Sequence, residues 1–316
     1  MSPVLKTDHA TPVTTHEISV ATPYRIDLTV SALRRMPTNL VDVYTDDGHY
    51  LRALGGYTRP VIVRVAQARA DALTVSVTGS AGDTEQALAS VRRMLGTERD
   101  VTDFHRRARA IPWLAPLARR MRGLKPPRYP ALFEACTNAI LFQQISLHAA
   151  SAIMRRLILA LGTRIDHDGV SLTMFPTVET FLGADDSTIR AAGISVGKLA
   201  TLRRAGEAIA SGAISEAMLE AQSSADAALL LRSIKGIGPW TAAVILLRGL
   251  GRLDMFPGND SGVAANLALI VGERVDAGPI AETLGAQRGM LYFCLLLARL
   301  EARGEIGRAS DVARRV

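Results

Sequence analysis

The sequence predicts an α+β protein, with a small N-terminal α+β domain ahead of an all-α body. Three observations predict it. Apolar and polar residues alternate as strands between residues 61 and 77, an amphipathic helical pattern follows at once, and after Val101 strand signals all but vanish. A chain of 316 residues is long enough for two or three domains and a sizeable core.

Taken in order, residues 1–20 are rich in Thr, Pro and Ser, show no periodicity, and read as a disordered N-terminus. The α+β domain is expected over 21–100. Within it, "VIVRVAQARADALTVSVTG" gives strands Val61–Val65 and Leu73–Val77, and "GDTEQALASVRRMLG" a helix from about Asp83 to Gly96. The all-α body is expected over 101–316. "ALFEACTNAILFQQISLHAASAIMRRLILALG" reads as two helices. "FPTVETFLGADDSTIRAAGISVGKLATLRRAGEAIASG" reads as three short ones, with caps such as Asp186–Ser187 and breakers at Gly193 and Gly197. "ADAALLLRSI" is a helix with Leu229, Leu230 and Ile234 on its buried side. It ends at Lys235-Gly236-Ile237-Gly238, and "PWTAAVILLRGL" opens the next helix with Pro239 at the first helical position. "PIAETLGAQRGMLYFCLLLARLEARG" is helical again.

Composition narrows the function classes. The formal charge of +7 favours an anionic partner such as nucleic acid. Between Arg106 and Arg128 lie eight basic residues and no acid, either a solvated helix face with a basic loop or a strip facing phosphates. Cys136 and Cys294 are the only cysteines, which excludes a disulfide framework and a four-cysteine zinc or iron–sulfur site. No apolar run approaches the length of a membrane span, and the N-terminus has no signal-peptide core. The expectation is a soluble cytoplasmic protein without membrane contact.

The stretch "IKGIGPWTA" carries the first chemical signal. Glycines at 236 and 238 allow a sharp turn and close approach of another surface, Ile237 plugs the hairpin into the core, and the following helix N-terminus offers unpaired N–H groups to a phosphate. A plain αα-corner has the same outline. Downstream, "DMFPGNDSGV" places Asp260 at or near a helix N-cap, as a capping residue or as a working carboxylate. Upstream, the adjacent Gln143 and Gln144 in "AILFQQIS" would be costly in a core without partners, so they face either solvent or a site.

Together these segments resemble the base-excision DNA glycosylases of the helix-hairpin-helix superfamily, and more closely the bacterial 3-methyladenine DNA glycosylase II family. The resemblance runs from about Phe104 to Ala298. It includes "RGLKPPRYPALFEA" and the helices before the hairpin, and extends more weakly over the N-terminal domain, which in that family is similar to half of a TATA-binding-protein fold. It implies two helical subdomains with the active-site cleft between them.

By that resemblance, the substrate is double-stranded DNA containing a damaged, 3-methyladenine-like base. The enzyme flips this base from the duplex and hydrolyses its N-glycosidic bond, leaving an abasic site. Asp260 falls on the catalytic aspartate, where a carboxylate stabilises the charge building on the deoxyribose. Trp240 stands where strand-cutting relatives carry a Schiff-base lysine, which implies a monofunctional enzyme and an aromatic pocket wall. Gln143 belongs to the pocket, and Gln144 fills the gap in the duplex. Gly236, Ile237, Gly238, Thr241 and Lys235 belong to the DNA-binding hairpin. Val244, Ser261 and Gln287 stand where the best-studied relatives carry pocket aromatics, so stacking is weaker here. No cofactor is required. A monovalent cation, Na+ or K+, is implied at the backbone carbonyls of Arg232, Ile234 and Ile237. A monomer associated with the bacterial nucleoid is expected. The rival is a damage-binding protein on the same scaffold with weak catalysis.

Overall fold

The computed structural model describes residues 4–6, 12–57, 59–258 and 261–306. Its N-terminal part comprises β1 (Val4–Lys6), β2 (Val13–Ser19), α1 (Ile26–Arg34), β3 (Val43–Tyr44), β4 (Tyr50–Leu54), β5 (Val61–Arg69), β6 (Ala72–Thr78) and α2 (Thr84–Leu95). Strands β2 to β6 form one antiparallel sheet in the order β2-β6-β5-β4-β3. The helix from Thr84 ends at Gly96, whose φ of 57° is the left-handed cap the sequence announces. The stretch expected to be disordered contains β2, which pairs along its whole length with β6. Its His16, Ile18 and flanking residues alternate in burial, a pattern too short and too rich in Thr to register in the sequence.

The body adds α3 (Thr102–Ala108), α4 (Leu114–Arg120), α5 (Leu132–Leu141), α6 (Leu147–Leu161), β7 (Thr163–His167), β8 (Val170–Met174), α7 (Val178–Gly183), α8 (Asp186–Ala191), α9 (Val196–Ala210), α10 (Glu216–Glu220), α11 (Ser224–Arg232), α12 (Pro239–Gly249), α13 (Ser261–Val271), α14 (Ala277–Leu284) and α15 (Gly289–Ala302). The body is therefore not all-α. β7 and β8 form a hairpin closed by Asp168 and Gly169, both at positive φ, and β1 joins it in parallel. "HDGV" was the missed signal, since an Asp-Gly pair inside an alternating run specifies such a two-residue turn. This hairpin covers the back of the main sheet: Ile165 and Leu172 pack on Leu51, Ala53 and Ile62. Hence β4 is buried on both faces.

Two apolar cores share α1 and α12. The first takes Ile26, Val30 and Leu33 with the main sheet and α5 to α9; the second takes Leu28 and Ala32 with α3, α4 and α13 to α15. Every residue of α5 is buried, Glu134, Thr137 and Asn138 included, and a Cβ on Gly249 of α12 would stand 2.7 Å from that of Ala135. The two central helices thus touch nearly backbone to backbone. On α11 the buried face is Ala227 and Leu231, continuing to Ile234, whereas Leu229 is exposed, contrary to expectation. Gly197 lies inside α9 and breaks nothing; Gly193, at φ 94°, is the turn.

Candidate functional site

The turn between α5 and α6 carries the glutamine pair. Phe142 ends α5, Gln144 takes a φ of 55°, and Ser146 caps α6 by accepting from the Ala149 N–H. Left-handed backbone is uncommon for glutamine and costs on the order of 1–3 kcal/mol, so surrounding contacts must hold it. They come from α9: Lys198 Nζ donates to the carbonyls of Leu141 and Gln143, 2.8 Å each. Burial holds the Lys198 ammonium below its ordinary pKa. Gln143 then reaches across, its Nε2 donating to Gly236 O at 3.2 Å and Thr241 Oγ1 at 2.6 Å.

The hairpin is fixed from the same helix. Gly236 has a φ of 103°, and a Cβ there would lie 2.0 Å from Thr201 Oγ1. Arg204 Nε donates to Lys235 O at 2.9 Å. Ile237 is buried as the expected plug, and its N–H donates to Ile234 O at 3.0 Å. Gly238 differs from Gly236. It caps α12 at φ −88°, a conformation open to any residue, and a Cβ there would meet nothing within 4 Å. Its missing side chain serves no internal packing and leaves the backbone bare toward solvent.

Turn and hairpin flank a cavity of about 910 Å3, closed on the other side by Val263, Ala265 and Asn266 of α13 and Tyr292 to Arg299 of α15. It lies where the two cores meet. The cavity gathers Gln143, Gln144, Gly236, Gly238, Trp240 and Thr241 from the expected residues. Thr241, however, is buried with its hydroxyl on Gln143 rather than turned outward to a phosphate. Lys235 is exposed on the hairpin.

Other expectations fall elsewhere. Val244 is buried in the first core and is absent from the wall of this cavity. Gln287 sits in the turn Gly285–Gln287 and is absent from the cavity wall. Asp260 lies outside the described residues, as does the side chain of Ser261, which opens α13. The loop leading toward them is well anchored. Gly289 N–H donates to Leu253 O at 2.7 Å, Arg288 Nε donates to Asp254 O, and a Cβ on Gly289 would stand 2.9 Å from the carbonyls of Leu253 and Met255. Five of the eight basic residues in the strip have partners within the protein: Lys125 Nζ donates to Arg99 O, Arg128 pairs with Glu216 and Glu220, and Arg106, Arg107 and Arg120 pair with Asp103 or Glu301, while Arg109, Arg119 and Arg122 are exposed. None of its members lines the cavity.

Arg35, Phe142, Tyr292 and Arg299 also line the cavity and were not singled out in the sequence. Arg35 ends α1 with φ 61° and ψ −45°. Its guanidinium lies 4.2 Å from the Phe142 ring centroid, and its Nη2 donates to Tyr292 Oη at 3.2 Å. Among the described residues, no group of three or more His, Cys, Asp or Glu is placed to hold a metal ion, and no helix is long and apolar enough to cross a membrane.

Comparison with known proteins agrees with this geometry. Residues 137–275, from within α5 through the hairpin to just past α13, match the HhH-GPD superfamily of base excision DNA repair proteins. A DNA-3-methyladenine glycosylase of Bacillus subtilis is 30% identical over 186 residues, covering 59% of this chain and 61% of that protein. A probable bifunctional transcriptional activator/DNA repair enzyme of Mycobacterium tuberculosis is 32% identical over 219 residues, covering 69% of this chain and 43% of its own. The chain thus spans less than two thirds of either relative. A 3-methyladenine DNA glycosylase of Archaeoglobus fulgidus superposes with a TM-score of 0.73 at 26% identity, covering 89% of this chain and 97% of that one.

Proposed function

We propose, from the premise that the chain belongs to the HhH-GPD superfamily of base excision DNA repair proteins, that it is a monofunctional DNA glycosylase that flips an alkylated base from duplex DNA and hydrolyses its bond to deoxyribose. The observation that carries this reading is a cavity of about 910 Å3, of the size of small-ligand sites, with the Gln143–Gln144 turn on one rim and the hairpin on the other. A base swung out of the stack between those rims enters beside Trp240, while exposed Gln144 stands at the mouth to fill its place. Bare backbone at Gly238 and the N-terminus of α12 suit a phosphate.

Asp260, just before α13, supplies the carboxylate. Losing the base leaves positive charge on the sugar, and an adjacent anion stabilises it while orienting or deprotonating the attacking water. Trp240 offers no amine for a Schiff base, so water completes the reaction and the strand stays intact. No cofactor takes part. A monovalent cation at the carbonyls of Arg232, Ile234 and Ile237 is part of the proposal; Ile234 O accepts one N–H and has a second lone pair free for an ion. The protein works as a cytoplasmic monomer on double-stranded DNA.

The test is base release from methylated duplex. The parent should liberate free base without strand scission or a borohydride-trapped adduct, with binding that weakens steeply as salt rises. Asp260→Asn should stop release and keep binding. Equal activity in the variant would remove Asp260 from the chemistry, and lesion binding without release by the parent would make the chain a damage-binding protein.

A further inference from the structure

We infer that the Gln143 amide reads the base that enters this cavity, its Oε1 held as a fixed acceptor that selects alkylated bases with an N–H donor, such as an exocyclic amino group, on the edge facing it. The inference rests on the glycosylase reading above and narrows it to a class of base.

Its ground is a complete count of what this side chain can bond. A glutamine amide has two N–H donors and one carbonyl oxygen with two lone pairs. Gln143 Nε2 lies 3.2 Å from Gly236 O and 2.6 Å from Thr241 Oγ1, so both donors are taken up by the hairpin. Which end of an amide faces a partner follows from what that partner can do. Gly236 O is a backbone carbonyl and only accepts, so the nitrogen faces it; the flipped amide would set two oxygens against each other. Oε1 is what remains. No described group bonds it, and it is accessible to solvent. Because Gln143 lines the cavity, this acceptor is what the side chain offers to an entering base.

Gln143 is also held at both ends. Its backbone carbonyl accepts from Lys198 Nζ at 2.8 Å, and its amide is tied to Thr241, which is buried, and to Gly236, which is packed against Thr201. A free amide turns either end toward its ligand and discriminates little. One with its nitrogen committed elsewhere favours a donor and opposes an acceptor. The exocyclic amino groups of adenine-type and cytosine-type bases donate, whereas the O6 and N7 edge of guanine and O4 of thymine accept. The bond that braces the two rims thus also sets what the cavity reads.

The experiment measures affinity for three duplexes: one carrying 3-methyl-3-deazaadenine, one carrying the same base without its amino group, and one carrying a tetrahydrofuran abasic-site analogue. The third has no base to read and reports on the rims alone. The parent should favour the amino-bearing base over its counterpart by about tenfold, the scale of one hydrogen bond. Gln143→Met, which keeps the length of the side chain, should bring that ratio near one, with any loss on the abasic analogue shared by all three duplexes. Thr241→Val removes one anchor of the amide and leaves the turn untouched; it should lower the ratio, and it replaces the methionine variant if the latter melts early. A parent ratio near one, or a folded variant with the parent's ratio, overturns the inference. Base release from methylated duplex is scored separately: no release by the parent defeats the glycosylase reading, while the binding ratio still reports on Gln143.

Discussion

The two rims of the cavity are gripped by one helix in two different ways. α9 holds the Gln143–Gln144 turn through a half-buried ammonium, Lys198, whose donors satisfy carbonyls at the end of α5. It holds the hairpin by close packing, with Thr201 filling the space a Cβ on Gly236 would need. Lys198, Thr201 and Arg204 follow one another at roughly one-turn intervals, so they share a face of α9. The hairpin's position thus rests chiefly on excluded volume, with a single bond from Arg204 Nε to Lys235 O added from the same helix. The turn's position depends on a small set of directional bonds and on a strained glutamine, and is the rim more easily released.

Breaking the steric grip should have the largest effect. Gly236→Ala places a Cβ into Thr201 at a left-handed backbone position, and should cost about 2–4 kcal/mol in denaturant unfolding, with DNA binding lost in step. The double variant with Thr201→Gly should recover part of that loss; no recovery would show that backbone strain alone governs the hairpin.

Cutting the polar grip should cost less in stability and more in function. Lys198→Met keeps the aliphatic stem but leaves two carbonyls unpaired, for about 1–2 kcal/mol. Amide exchange should rise at Gln143–Ile145 and not across the hairpin. Equal exchange in both rims would contradict the division drawn above.

The far end of α5 sharpens the comparison through pH. There Arg52 of β4 bonds both Asp42, at 2.6 Å, and Glu134, at 2.5 Å, with all three buried. Two carboxylates share one guanidinium away from water, so one proton is retained: burial foremost, with Asp42 beside it, pushes Glu134 up to about 7. A carboxyl raised in the folded state contributes stability that is present near the unfolded value and is lost as pH climbs toward the folded one. Glu134→Gln, which mimics the protonated form, should therefore match the parent near pH 5 and exceed it by about 1–2 kcal/mol near pH 8. A variant that instead loses ground as pH rises would mean the ion pair with Arg52 outweighs burial.

The smallest stability effect belongs to Gly238→Ala, below about 0.5 kcal/mol, because a Cβ there meets nothing. Its expected signature is weaker duplex binding alone. Unchanged affinity would remove the close-approach role assigned to this glycine.

Much of the site was legible in the sequence because its signals are local. Gly236, Gly238 and Pro239 announce the hairpin within a few residues, and the apolar runs of α5 and α12 announce two central helices. Gln143 and Gln144 stood out because polar pairs in such runs need partners, and Gln143 found its partners on the hairpin. The misses were of two kinds. Short elements such as β2, and the hairpin closed by Asp168–Gly169, were masked by Thr-rich or charged residues. Leu229 and Val244 were given the wrong face because a helical pattern says that one side is buried, not which neighbour lies against it.

By itself, then, the sequence determined the α+β class and the helix-hairpin-helix, matters of backbone preference over a few residues, and marked Gln143 and Gln144 as polar residues in need of partners. The tertiary structure alone decided that α9 braces both rims and that Arg35, 257 residues from Tyr292 in the chain, meets it across the cavity. Such contacts join positions whose separation carries no periodic signal. They exist only because two cores pack on the same pair of helices and bring the end of α1 to the cleft between them.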